Sequence, residues 1–304
     1  MYIINNRNAF VFLILIFLGV GCTQPNVSDQ TPEDSAAALK LSTESTISIR
    51  ETILGIGGKF VSLFGETDAE RILTINSWKP SLSAEVAWQR SLKHETLISE
   101  ESRKQYFKDY ASASIGTQLP NPPEPVYETV VEKGSLQTDA LESGTKVLLP
   151  FFWQKDQNMN DGSTLIWISK KQYQELVQNR RTEIHLGLFD DSVAYVEGFT
   201  DQIQTLIDKL KSSEPQEKIE KNISEIEADI DWKTYRLKVN GVLTDVRAIQ
   251  AQNVFARYTI LANEQNPLIL EIILTPASRG TTNLFNLKEL GEAFWGYEVT
   301  EIGL

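Results

Sequence analysis

Few residues in this chain have side chains suited to covalent or metal chemistry. There is one cysteine, Cys22, and there are two histidines, His94 and His185. That scarcity essentially excludes imidazole metal sites, Cys–His nucleophile pairs and structural zinc, and no cofactor is expected. Asp156-Gln157-Asn158-Met159-Asn160-Asp161-Gly162 sets oxygen-bearing side chains at alternate positions, as a calcium loop does. Its register fails, because an EF-hand loop needs Gly at position 6 and Glu at 12, where this chain has Asp161 and Trp167. A solvated hairpin loop explains it. Gly55-Ile56-Gly57-Gly58-Lys59 lacks the spacing and the Lys-Ser/Thr ending of a phosphate-binding loop, and no G-x-S-x-G elbow occurs. The acidic pairs Asp190-Asp191 and Glu100-Glu101 have the groups for acid–base work, although a turn and a helix start account for them equally. His185 alternates with Ile184 and Leu186 as a face-pointing strand residue would, and His94 reads as the polar end of a helix. One cluster runs against the acidic background: Arg236, Lys238, Arg247 and Arg257 fall on what should be the polar face of a sheet. They form a candidate anion-binding face, with a solvated face partly neutralised by Asp245 as the plainer account.

The cysteine has a special address. Ala9 to Cys22 is a run of 14 uncharged, mostly apolar residues, short of the roughly 20 that an α-helix needs to cross a hydrocarbon core. Arg7 and the amino terminus precede it, and the small residues Gly19 and Gly21 close it, which is the layout of a secretory signal. Leu18-Gly19-Val20-Gly21-Cys22 resembles the lipobox of bacterial lipoproteins, with Gly19 where the pattern usually has leucine and Leu18 one place upstream. The resemblance covers the leader only. It implies that the Cys22 sulfur is diacylglycerated and that cleavage leaves Cys22 at the new N-terminus. It further implies partnership with a lipid bilayer and, since Thr23 is not the aspartate of inner-membrane retention, outer-membrane placement if the organism has two membranes. An ordinary cleaved signal followed by a free thiol is the alternative, and an exposed thiol is easily oxidised in an exported compartment. Each buried acyl CH₂ adds about 0.8 kcal/mol of membrane affinity, so two or three chains hold where one binds only marginally.

The leader contains one of the 29 basic residues and none of the 41 acidic ones, so the net charge of −12 becomes −13 without it. Such a field repels nucleic acid and favours solubility. With the lone cysteine assigned, no internal disulfide forms, and stability must come from burial.

Positioning these residues calls for an α+β fold, an N-terminal helical region followed by a mainly antiparallel sheet domain with packed helices. The expected organisation is a signal peptide over 1–21, a lipidated N-terminus and disordered tether over 22–45, a helical region over 46–118, a Pro-rich linker over 119–125 and the α+β domain over 126–304. The tether is rich in Ser, Thr, Pro and acids. Ile49, Ile53, Ile56, Phe60 and Phe64 recur at three to four residues, and pieces over Ala69 to Trp78, Leu82 to Lys93 and from Ser99 read as further helices. Leu119 to Pro125, LPNPPEP, stops any regular element. Beyond it Thr145 to Trp153 and Ser163 to Ile168 read as buried strands, Ser169 to Gln172 as a capping box, and Glu183 to Phe189 as a strand. A helix is expected from Thr200, and another from Ser213 with an apolar stripe of Ile219, Ile223, Ile226 and Ile230. Asn240-Gly241 is a type I′ hairpin signal. It pairs Val239 with Val242, Leu237 with Thr244 and Tyr235 with Val246 on the core face, and Lys238 with Leu243, Arg236 with Asp245 and Thr234 with Arg247 on the polar one. Phe255 to Leu261 and a central Leu268 to Leu274 follow, then a helix near Leu287 and a strand over Tyr297 to Ile302.

With no reaction signature, the expected function is that of an exported, membrane-anchored lipoprotein acting non-enzymatically by binding, scaffolding or envelope assembly, with an envelope protein or polymer as partner. Two alternatives stand beside it: a carrier or chaperone for an apolar ligand, and a carboxylate-based hydrolase of envelope polymers.

Overall fold

The computed structural model describes residues 31–53, 70–96, 100–112, 126–150, 153–156, 158–160, 162–186, 224–253, 256–274 and 294–304. The leader with Cys22, the glycines of 55–58, the LPNPPEP linker, Asp190-Asp191, and the helices expected from Thr200, Ser213 and near Leu287 lie outside these residues, apart from the last residues of the second.

The N-terminal half holds α1 (Pro32–Ala38), β1 (Thr46–Ile53), β2 (Glu70–Lys79), β3 (Ser83–Thr96), α2 (Glu100–Ser112) and β4 (Val126–Thr138). Then come β5 (Lys146–Val147), β6 (Asn158–Met159), α3 (Lys170–Asn179), β7 (Arg181–Glu183), β8 (His185–Leu186) and β9 (Glu225–Ala228). The chain continues through β10 (Lys233–Val239), β11 (Val242–Gln252), β12 (Ala256–Leu261), β13 (Ile269–Leu274) and β14 (Phe294–Gly303).

The protein is mostly β, and the expected α+β fold with an N-terminal helical region is overturned. Ser99 does precede a helix, α2, but residues 46–53, 70–79 and 83–96 are strands. The reason is a period of two. Ile47 and Ile49, Leu73 and Ile75, and Ala84, Val86 and Trp88 are all buried, so one alternating face of each strand is apolar. Spacing of three to four linked Ile49 to Ile53 while passing over Ile47. His94 accordingly lies in β3, not at a helix end.

Among the described residues, twelve strands form one sheet, in the order β6-β4-β3-β2-β1-β14-β13-β12-β11-β9-β7, with β10 pairing both β11 and β14. That double pairing closes β10 to β14 into a five-strand barrel. Each antiparallel hairpin reverses the chain, so after four reversals β14 runs with β10. Their seam, Lys238 with Glu301 and Val239 with Ile302, is therefore parallel. The remaining strands extend from the barrel wall as a sheet, and strands from both sides of the expected 119–125 boundary belong to it. β1 pairs with β14, and β3 pairs with β4 from Ala84–Thr138 to Thr96–Val126.

The barrel wall buries the row Tyr258, Ile272 and Tyr297, directly opposite one another on β12, β13 and β14. Leu237 and Val246 are also buried. Two tyrosines satisfy their polar ends through the backbone: the Tyr297 hydroxyl donates to the Ile269 carbonyl at 3.2 Å, and that of Tyr235 to the Val299 carbonyl at 3.2 Å. Burial pushes the Tyr235, Tyr258 and Tyr297 hydroxyls far above the ordinary phenol range.

The buried face of the sheet is covered by α1, by the segment from Leu141 to Ile168 and by α3. The apolar runs of that segment are buried as expected (Leu148, Leu149, Trp153, Ile166, Trp167), yet among the described residues of those runs only Lys146–Val147 is strand, parallel to β8. Leu165 takes a left-handed backbone, φ 56°, and the expected strand over Ser163 to Ile168 is a buried turn. A short apolar run records burial, not extension. The capping box does form: the Ser169 hydroxyl accepts from the Gln172 N–H, while the Gln172 side chain accepts from the Ser169 N–H at 2.7 Å. The expected helical stripe breaks where it is described, since Ile226 is buried in strand β9 and Ile230 is exposed.

The tether expected to reach Ser45 ends earlier. Thr31 caps α1, Pro32 opens it, and Ala36, Leu39 and Leu41 are buried. The Asn263 side-chain amide donates to the carbonyls of Ala36 at 2.9 Å and Leu39 at 3.1 Å.

Candidate functional site

The hairpin face predicted from Asn240-Gly241 is built in the expected register, pair for pair from Thr234–Arg247 to Val239–Val242. Asn240 and Gly241 have φ of 50° and 78°, the left-handed values a type I′ turn requires. The four candidate cations are distributed among separate neighbours. Arg236 clasps Asp245 with two bonds, Nε to Oδ1 at 2.6 Å and Nη2 to Oδ2 at 2.9 Å. Those bonds from Arg236 hold the Asp245 carboxyl below the usual range. Arg247 turns toward α1, with Nη1 2.6 Å from Glu33 Oε1 and its guanidinium 4.1 Å from the Trp232 ring centroid. Arg257 lies opposite Gln252 and Ile273, and its charge acts on Glu271. Lys238 sits beside Glu301 at the barrel seam.

Two polar rows, neither of them read from the sequence, cross the strands. The first runs Thr259, Glu271, Glu298, Arg50, Glu70 over β12, β13, β14, β1 and β2. Burial lifts the Glu271 carboxyl above its ordinary range and the Glu298 charge adds to that, against the Thr259 hydroxyl and Arg257. Arg50 Nε donates to Glu298 Oε1 at 2.6 Å. A half-buried acid thus stands directly opposite a carboxylate neutralised by arginine, the asymmetry that separates a proton donor from an anion.

The second row lies on the buried face. Glu51, Arg71, Arg90 and Glu132 come from β1, β2, β3 and β4 in turn. Glu51 bridges both arginines, at 2.9 Å to Arg71 Nη2 and 3.0 Å to Arg90 Nη1, and Arg90 Nη2 reaches Glu132 at 2.8 Å. Arg71 is 1% exposed and stacks over Trp88, 4.2 Å from the ring centroid. Its Nη1, Arg90 Nε and Trp88 Nε1 have no hydrogen-bond partner. Burial lowers the Arg71 pKa and the Glu51 charge opposes that. Gly134 faces Trp88 across β3 and β4, and a Cβ there would come within 2.8 Å of Trp88 Nε1.

A shallow groove of about 430 Å³ lies over β2, β3 and β4, lined by Ile72, Thr74, Gln89, Lys133, Asp156 and Asn158 among others. The supposed calcium loop forms one wall of it. Asn158 and Met159 pair with Ser135 and Leu136 as the edge strand β6, and no metal-holding group of three or more His, Cys, Asp or Glu exists among the described residues. His185 lies exposed in β8. Glu101 is exposed in the first turn of α2, as a helix start requires. Alternation of Arg71 with Leu73 and of Arg90 with Trp88 was the available signal for the buried row, and it disappears once the segment is read as helix.

The sequence matches no family model, and neither a curated protein nor a solved structure is similar to it.

Proposed function

We propose that this protein is an exported lipoprotein, held to the cell envelope by acylated Cys22, whose β body acts non-enzymatically by binding or scaffolding an envelope protein or polymer. The observation that carries the reading is the single cysteine at the end of the apolar leader, in Leu18-Gly19-Val20-Gly21-Cys22. The outer membrane is the expected site where there are two. Replacing Cys22 with Ala is the test: the variant is expected in the soluble fraction or as an uncleaved precursor without acyl mass, and wild-type fractionation and acylation would overturn the proposal.

The binding surface is tested separately. Arg247 holds α1, so a variant lacking it disturbs the body, whereas Arg236 and Lys238 are exposed. Pull-down from envelope extract with Arg236→Ala/Lys238→Ala is expected to lose an anionic partner, and identical recovery would remove the anion-binding face.

A hydrolase reading draws on Glu271 opposite Glu298. It requires that Glu271→Gln and Glu298→Gln each abolish release of soluble fragments from envelope polymer, which the binding reading does not. The carrier reading has no comparable support, since Tyr258, Ile272, Tyr297, Leu237 and Val246 occupy the core of the barrel wall.

A further inference from the structure

We infer that the turn from Asp229 to Trp232, between β9 and β10, is a lip that rests on the bilayer to which Cys22 is attached, an inference that builds on the anchoring proposed above. Ile230 is 81% exposed and Trp232 37% exposed, although Ile226 and Ala228 just before them are buried. The fold leaves two large apolar side chains in water at one tip.

Their position relative to the anchor gives them a use. Arg247 stacks on Trp232 and also contacts Glu33 in the first turn of α1. The lip is thus one guanidinium away from the point where the chain enters the fold. Eight residues separate Cys22 from the cap residue Thr31, and the nine steps between them span at most about 32 Å even fully extended. The 14 residues of β3 alone extend about 45 Å at ordinary strand rise. The anchor therefore draws the α1 end of the body, and the adjacent lip, toward the headgroups.

The chemistry suits the headgroup layer. Tryptophan concentrates at membrane interfaces, where its ring is buried and its N–H stays wet. The neighbouring charges are largely matched: Glu33 by Arg247, and Asp229 by Lys233 at 3.5 Å, while Arg180 donates to the Asp229 carbonyl at 2.8 Å. Asp231 adds one further negative charge. A zwitterionic lipid surface fits such a lip, and the acidic protein as a whole would be repelled by an anionic one.

The test uses the acylated protein extracted from membranes and reconstituted into phosphatidylcholine vesicles whose acyl chains are brominated near the headgroup. Trp232→Phe should lose most of the bromine quenching seen in wild type, since the lip carries the indole that lies at the interface. Ile230→Asp should reduce quenching while retaining every tryptophan, and thermal unfolding should confirm that both variants are folded. Equal quenching in wild type and both variants overturns the lip, whatever else that surface binds. The mass of the Cys22 peptide from the same sample separates the two claims: a missing acyl group overturns the anchoring and the lip together, whereas an acylated protein with equal quenching overturns only the lip.

Discussion

Glu51 holds two arginines at once, and Arg71 is almost completely buried. Removing one member of such a group leaves an uncompensated charge in the interior, at a cost of about 3–5 kcal/mol. Glu51→Ala should therefore lower denaturant stability by about 3 kcal/mol or more, and adding Arg71→Met should recover much of it; equal loss in the single and double variants would show that packing, not charge, is at stake. Glu271 gives a pH prediction. Its folded-state pKa is raised, so the native state binds the proton more tightly than the unfolded chain does. Stability is gained as pH falls through that raised value toward the unfolded value of about 4.3 and is forgone above it. Glu271→Gln should be neutral or stabilising at neutral pH and should lose this gain on acidification, measured as Tm against pH. A wild-type Tm that fell through the same window by more than the variant's would contradict this sign.

Elements differ in how openly the sequence announces them. The β10–β11 hairpin was legible to the residue because Asn240-Gly241 allows a turn that few other pairs permit, and the turn then dictates every pair behind it. The start of α3 was legible through Ser169 and Gln172. Ser169→Ala removes an acceptor buried with its partner, so it should cost about 1–2 kcal/mol in thermal or urea unfolding, at the upper end for an N-cap; an unchanged midpoint would mean that Thr145 and Glu183, whose carbonyls accept from the Gln172 amide, hold the helix end by themselves. β1 to β3 were missed for a different reason. The inward residues of all three alternate, but the outward ones of β2 and β3 include Ile72 and Ala87, and apolar residues on both faces blur a period of two into one of three to four there. The polar rows were invisible because each is assembled across strands far apart in sequence, such as Arg50 with Glu298, 248 residues away.

At the scale of the molecule, one sheet spans what composition divides. The LPNPPEP segment interrupts local structure, yet β3 and β4 on either side of it pair along their length, and β1 pairs with β14. Thermal unfolding followed by tryptophan emission and by far-ultraviolet circular dichroism should give coincident transitions, since the ring pairs Trp78–Trp167 and Trp88–Trp153 each join a strand of the N-terminal half to the segment that covers the sheet. Two resolved transitions would restore a two-domain description.

The pairing of β1 with β14 also sets a timetable. A chain delivered through a translocation channel from its N-terminus would present β1 early, while β14, which both lies against it and seals the barrel, arrives some 250 residues later. Contacts so distant along the chain form slowly, and a strand waiting with an open edge invites pairing with the wrong neighbour. For the export proposed above, such an architecture would keep the protein threadable during passage and leave it dependent, until β14 emerges, on something else to shield β1.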